Sequence, residues 1–246
     1  MIIFVYAAGS DFYVKMATMC CISHKRANPT NDVVLLTSED CLPASYESSL
    51  MREKVLFHCF PHVKSELSYI HADGDLFRFH TFARWKCYLD ATEHYGNGVH
   101  ALLDPDIVSN ENWSDLEKRL DPGTIAFTRQ FDWDYFINGG FIVGHSHDME
   151  EIGRFLLRKI REDTAVGAYI KLPYDQIYWN RYFNSMGLSS ICVGSDFIQL
   201  SVGQKLYKAK LVHQIDYKGT LFLYPVMKQI AQDCSFTITN EDLTRY

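Results

Sequence analysis

Residues 99–109 read VHALLDPDIVS, with two aspartates on either side of one proline where an apolar run stops. A short apolar run bounded by turn residues reads as a buried strand, and Pro105 restricts the backbone between Asp104 and Asp106. Carboxylates this close repel, so each disfavours the other's ionisation unless a cation joins them. The chain holds three such D-x-D triplets, Asp73/Asp75, Asp104/Asp106 and Asp132/Asp134, so the pattern alone selects nothing. Context does: only ALLDPDIV has apolar residues directly on both sides, which holds the backbone and fixes two carboxylates where a hard divalent cation can use them. HADGDLF reads as a loop or helix start with Asp75 as N-cap, and DWDYF as a loop. The plainer reading of Asp104 and Asp106 is a solvated turn at a solvent-facing strand end.

Strand-like and helix-like segments alternate outward from this point. IIFVYA (2–7), DVVLLTS (32–38), KVLFHCF (54–60), TIAFT (124–128), FINGGFIVG (136–144), LSSICV (188–193) and AKLVHQ (209–214) read as strands. Helices are expected over 11–24, 75–95, 149–162 and 173–183, the last with Pro173 in its first turn. The alternation implies a single α/β domain over residues 1–246, Rossmann-like, with a mostly parallel, mixed sheet covered by helices on both faces. Ligands of such folds sit beyond the carboxyl ends of the strands, which is where Asp104 and Asp106 lie. A strand ending near 103 and another ending near 212 in the same sheet would bring His213 to the acid pair.

A net charge of −6 excludes a nucleic-acid binder, which needs a basic footprint. A small anionic ligand stays open, because a metal ion supplies positive charge locally. Seven cysteines without a C-x-x-C pair point to free, mostly buried thiols and a reducing, cytoplasmic setting. The opening MIIFVYAAG reads as a strand, not a signal peptide, and no run reaches the ~20 apolar residues of a transmembrane segment.

Two enzyme classes place D-x-D after a strand. In a D-x-D phosphatase the first Asp is a nucleophile and the second a general acid; ALLDPDIV fits locally, but over a hundred residues into the chain and without a later acidic pair. The fuller resemblance is to the metal-dependent glycosyltransferases of the GT-A fold, either the glycogenin-like, family 8-like retaining group or a related bacterial or viral group. ALLDPDIV resembles their D-x-D strand, FINGGFIVG their N-(A/S/G)-G strand and LPYDQIYWN their D-Q-x-x-x-N segment. LVHQIDYKG resembles their late H-x-x-G-x-x-K segment, VYAAGSDFY their opening strand and turn, and RWKCY the helix before the D-x-D strand. The late segment departs from the pattern: Asp216 stands where the family has Gly, and Lys218 comes one residue early.

The resemblance implies a transferase moving a hexosyl or pentosyl group from a nucleoside diphosphate donor, UDP-linked, to a hydroxyl of a glycan, lipid-linked or protein acceptor. It implies Mn²⁺ or Mg²⁺ held by Asp104, Asp106 and His213. Ala7, Ala8, Tyr13, Arg84, Asp104, Gly139 and Lys218 would bind the nucleotide sugar, with Phe12 as competitor to Tyr13 for the base, and Asp175, Gln176 and Asn138 would serve catalysis. The nucleotide half would span about residues 1–110 and the acceptor and catalytic half about 111–246, with 129–136 and the tail after 219 building the acceptor pocket. Arg84 is preferred over Lys86 because residues two apart do not share a helix face. Each residue also has a plainer reading: Tyr13 as core, Arg84 as a surface arginine, Asp175 as a first-turn acid that favours the helix dipole. A non-catalytic nucleotide-sugar or glycan-binding protein on the same fold is the alternative.

Overall fold

Strands β1 (Ile2–Ala7), β2 (Asp32–Thr37), β3 (Leu56–Cys59) and β4 (Val99–Leu103) are the apolar runs of the first hundred residues, and they form the parallel half of a seven-stranded sheet. A computed structural model of the chain describes residues 1–71, 76–129, 137–166, 174–194, 197–201, 209–214 and 218–245. Within it, β6 (Thr124–Arg129), β7 (Ile137–His145) and β8 (Ser189–Cys192) complete the sheet in the order β3-β2-β1-β4-β7-β6-β8. Strand β7 runs antiparallel to both β4 and β6, so the sheet is mixed but mostly parallel.

Period-two alternation explains why helices cover both faces. Ile3, Val5, Val33 and Leu35 point to one core, packed under helix α1 (Asp11–Ala27). Phe4, Tyr6, Val34 and Leu36 point to the other, packed under α5 (Leu76–Thr92) and α6 (Ser146–Ala165). Shorter helices α2 (Ala44–Arg52), α3 (His62–Glu66) and α4 (Ser68–His71) connect the early strands, and α7 (Asp175–Tyr182) follows the segment that contains Pro173, which lies outside the described residues. The Asp73/Asp75 and Asp132/Asp134 triplets and Asp216 also lie outside them.

The structure corrects the expectation that β4 and the His213 strand share a sheet. After the D-x-D, a three-residue strand β5 (Ile107–Ser109) leaves the main sheet and pairs antiparallel with β10 (Leu211–Gln214). With β9 (Ile198–Ser201) they form a second sheet, ordered β5-β10-β9. The tail continues as a 3₁₀ turn (Lys218–Leu223), α8 (Pro225–Cys234) and α9 (Asn240–Thr244), and α8 packs against α1. All seven cysteines are free, and four of them are buried. Among the described residues no helix is long and apolar enough to cross a membrane.

Candidate functional site

The backbone at the end of β4 is held on two sides. Asp104 N–H donates to the Gly140 carbonyl of β7 at 2.8 Å, and Gln214 N–H of β10 donates to the Asp106 carbonyl at 3.1 Å. The β5–β10 register sets His213 opposite Ile107, one residue past the acid pair. His213 Nε2 therefore lies 4.0 Å from Asp104 Oδ2 and 3.3 Å from Asp106 Oδ1. One ligand atom from each of the three residues falls within a 4.8 Å span.

These residues fit a divalent cation on the chemistry of their donors and on an unmet need. Asp106 is fully buried, not solvent-facing as its place in the sequence suggested. Its Oδ1 has no hydrogen-bond partner among the described residues, and His213 Nε2 approaches it at 3.3 Å. Buried polar atoms left unpaired are costly and uncommon. Two carboxylates and an imidazole suit Mg²⁺ or Mn²⁺, with nitrogen favouring the transition metal.

Two cations of the chain face the acids. Lys218 forms an ion pair with Asp106. Burial alone would push the Asp106 carboxyl up, but Lys218 and then His213 outweigh it and hold it well below the usual carboxylate range. Arg84, buried on α5, reaches Asp104 Oδ1 at 2.5 Å, Asp175 Oδ2 at 2.5 Å and the Gly139 carbonyl at 2.7 Å. Its burial would lower the guanidinium pKa, and Asp175 and Asp104 more than reverse this. Each of the paired acids thus has its own cation, Arg84 for Asp104 and Lys218 for Asp106. Three carboxylates, Asp104, Asp106 and Asp175, share two cations in this cluster. Lys86 points elsewhere, to Asp90 and Glu66.

Helix α7 closes the cluster. Asp175 Oδ2 also accepts from Trp85 Nε1 at 2.9 Å, and its Oδ1 accepts from Gln176 N–H at 2.7 Å. Gln176 Oε1 accepts from Gly139 N–H at 2.9 Å. Asn180 exchanges hydrogen bonds with the Ile137 backbone at 2.7 and 3.0 Å, which clips α7 to β7. Opposite this contact the β6–β7 register jumps from Phe127–Ile142 to Thr128–Asn138, an irregularity that frees the Gly139–Gly140 backbone from β6. A Cβ at Gly140 would stand 2.6 Å from both Asp104 Oδ2 and His213 Cε1, so glycine is needed there for close approach. Sequence reading singled out Gly139 and missed Gly140 and Trp85; the doubled glycine and the Trp beside Arg84 were the available signals.

A cleft of about 1000 Å³ opens over this floor. Ala8, Tyr13, Arg84, Asp104, Gly139, Asp175, Gln176 and Lys218 of the expected set line it. Ala7, Asn138, Asp106 and His213 are buried behind that lining, Asn138 Oδ1 accepting from Gly140 N–H at 2.8 Å. Phe12 packs into the core against Phe222, whereas the Tyr13 ring faces the cleft with Lys218 Nζ 5.8 Å from its centroid. Lys218 is the only residue of the tail among the described cleft-lining residues.

The sheet order, with a D-x-D at the end of its fourth strand, defines a GT-A fold. Two glycosyltransferases of known structure share it. One is the apo-form glycosyltransferase GlyE of Streptococcus pneumoniae TIGR4, 14% identical with a TM-score of 0.59, the match covering 96% of this chain and 64% of GlyE. The other is the galactosyltransferase LgtC, solved in complex with donor and acceptor sugar analogues, 14% identical with a TM-score of 0.61 and 98% of each chain covered. The chain spans less than two thirds of GlyE. At this identity the likeness is one of fold. No family model and no curated protein matches the sequence.

Proposed function

We propose that the protein is a glycosyltransferase that moves a hexosyl or pentosyl group from a UDP-linked donor to an acceptor hydroxyl, with a divalent cation at Asp104, Asp106 and His213. The observation that carries the reading is the convergence of these three residues, from two sheets, at the floor of the cleft. When bound, the cation supplies Lewis-acid stabilisation of the leaving diphosphate. The Tyr13 ring stacks on the base, as aromatic side chains do on nucleic-acid bases, and the small Ala8 lets the nucleotide approach the end of β1. Lys218, already between Asp106 and the Tyr13 ring, meets the diphosphate. Arg84 steadies Asp104 and the Gly139 backbone. Gln176 meets the transferred sugar, while Asp175 in the cleft lining holds Arg84, and Asn138 holds Gly140 from behind.

In the reaction the bond between the sugar's anomeric carbon and the diphosphate breaks with its electron pair on the phosphate oxygen. The acceptor oxygen forms the new bond and releases its proton. The phosphatase alternative gains no support from either structural neighbour. Calorimetric titration of UDP with and without Mn²⁺, followed by assay of UDP release from UDP-hexoses and UDP-pentoses, tests the reading. Mn²⁺-dependent UDP binding with turnover is expected. Binding without turnover on any donor and acceptor tried would favour the non-catalytic protein, and no binding of any nucleoside diphosphate would overturn the proposal.

A further inference from the structure

Eight large apolar side chains are more than a third exposed among the described residues; two, Met51 and Leu56, line a smaller surface pocket, and four line the cleft over the acid pair: Leu76 (56%), Phe77 (60%), Tyr174 (38%) and Ile177 (37%). Singly exposed apolar residues need no explanation, but a cluster rimming a polar site marks a binding surface. These four come from two elements. Leu76 and Phe77 open α5, and Tyr174 and Ile177 flank Asp175 and Gln176 at the start of α7. The Phe77 and Tyr174 rings meet edge to face, 4.8 Å between centroids and 81° between planes.

We infer that this ledge binds an apolar group, alkyl or aryl, attached to the molecule that accepts the sugar. The inference rests on the transferase reading and names its acceptor class. Three observations carry it. Tyr174 and Ile177 flank Asp175 and Gln176 along one turn, so whatever rests on the ledge lies beside the side chain that meets the donor sugar. Leu76 and Ile177 offer no hydrogen-bonding group, so covering them favours an apolar group over a hydroxyl-rich sugar ring. The edge-to-face rings form a corner instead of one flat platform, which suits a chain or an aglycone ring wedged into it and not a sugar laid flat.

The test compares binding of octyl and phenyl β-D-glucosides and β-D-galactosides with that of their methyl counterparts. Each is titrated calorimetrically, below micellar concentration, with and without UDP and Mn²⁺. An octyl or phenyl glycoside should bind at least about ten-fold tighter than the methyl glycoside, the scale expected when a few methylenes leave water. Phe77→Ser should remove that preference and leave UDP affinity unchanged, and Leu76→Ser should reduce it. Both sites are exposed, so the variants fold. Preference for octyl over phenyl, or the reverse, decides between an alkyl and an aryl group. Equal affinities, no glycoside binding, or a preference that survives Phe77→Ser would overturn the inference. So would a concentration-dependent dimer that Phe77→Ser dissolves, since the ledge would then belong to a second copy. Failure of UDP to bind in the same titrations would instead sink the transferase reading, while the UDP-free arm would still decide the ledge.

Discussion

The floor and the rim of the cleft follow opposite rules. At the floor, Arg84 and Lys218 each hold an acid, Asp175 accepts four hydrogen bonds, and Asp106 is wholly out of water. At the rim, Leu76, Phe77, Tyr174 and Ile177 are apolar and stand partly in solvent. Ion pairs in low dielectric are stiff, because moving one partner leaves an uncompensated charge. Apolar groups in water have no such constraint and adapt to what covers them. Fixed chemistry below and tolerant recognition above is the division this contrast teaches.

The comparison breaks hardest at Asp106. Asp106→Asn leaves Lys218 without its counter-charge and should cost about 3 kcal/mol of stability, the low end for a broken buried pair because Lys218 keeps some exposure. Urea denaturation measures it, and adding Lys218→Met should return much of the loss. Next comes Gly140→Ala, whose Cβ must displace Asp104, His213 or Asn138. A shift near 1 Å in a positioned group costs about a hundred-fold, so Mn²⁺ affinity should fall on that scale while Asp104→Asn removes it by a different route. Tyr13→Ala should weaken UDP binding by about 1–3 kcal/mol if the ring stacks on the base; an unchanged UDP affinity with lowered stability would return Tyr13 to the core.

Acid tests the support beneath the floor. His24 lies under β5 with Nδ1 2.7 Å from Ser109 Oγ, and burial lowers its pKa to about 3. The unfolded chain therefore binds a proton near pH 6.5 that the folded chain refuses, and stability should fall as pH drops from about 6.5 towards 3. His24→Gln should flatten that part of a melting-temperature profile; a profile identical to the parent would clear His24 of the effect. The smallest change belongs to the rim, where Phe77→Ser should alter stability by no more than about 0.5 kcal/mol.

Local pattern carried much of this into the sequence. The runs at 2–7, 32–38 and 99–103 are strands because apolar side chains on both faces leave no other period, and ALLDPDIV outranked two other D-x-D triplets on that ground. Tyr13 and His213 became candidates through the resemblance of VYAAGSDFY and LVHQIDYKG to segments of the GT-A transferases. What was not legible depends on pairing across the chain. Three residues are too short a run to announce β5 as a strand, so the second sheet, and with it the route that brings His213 to Asp106, had no local signal. Arg84 looks like any helix arginine until Asp104, Asp175 and Gly139 arrive from three other segments. The tail after 219 reads as irregular because its helices are short, yet α8 rests on α1.

Asp242 ties that tail down. Its carboxylate completes the N-terminal cap of α9 with Thr239 and also pairs with Lys15 of α1 at 2.7 Å, while Gly219 N–H donates to the Arg245 carbonyl at 3.2 Å. The turn that carries Lys218 is thus anchored to α1, two residues past Tyr13, by a contact that spans 227 positions. A chain growing from its amino end would form β1, β2 and α1, and with them place Tyr13, before the turn that carries Lys218 exists. Contacts of such long sequence separation form slowly, since the entropy of closing the loop is lost before the contact is gained. A factor that delays docking of α9 is therefore expected to delay completion of the cleft at Lys218, a difference that pulse-labelling hydrogen exchange would read.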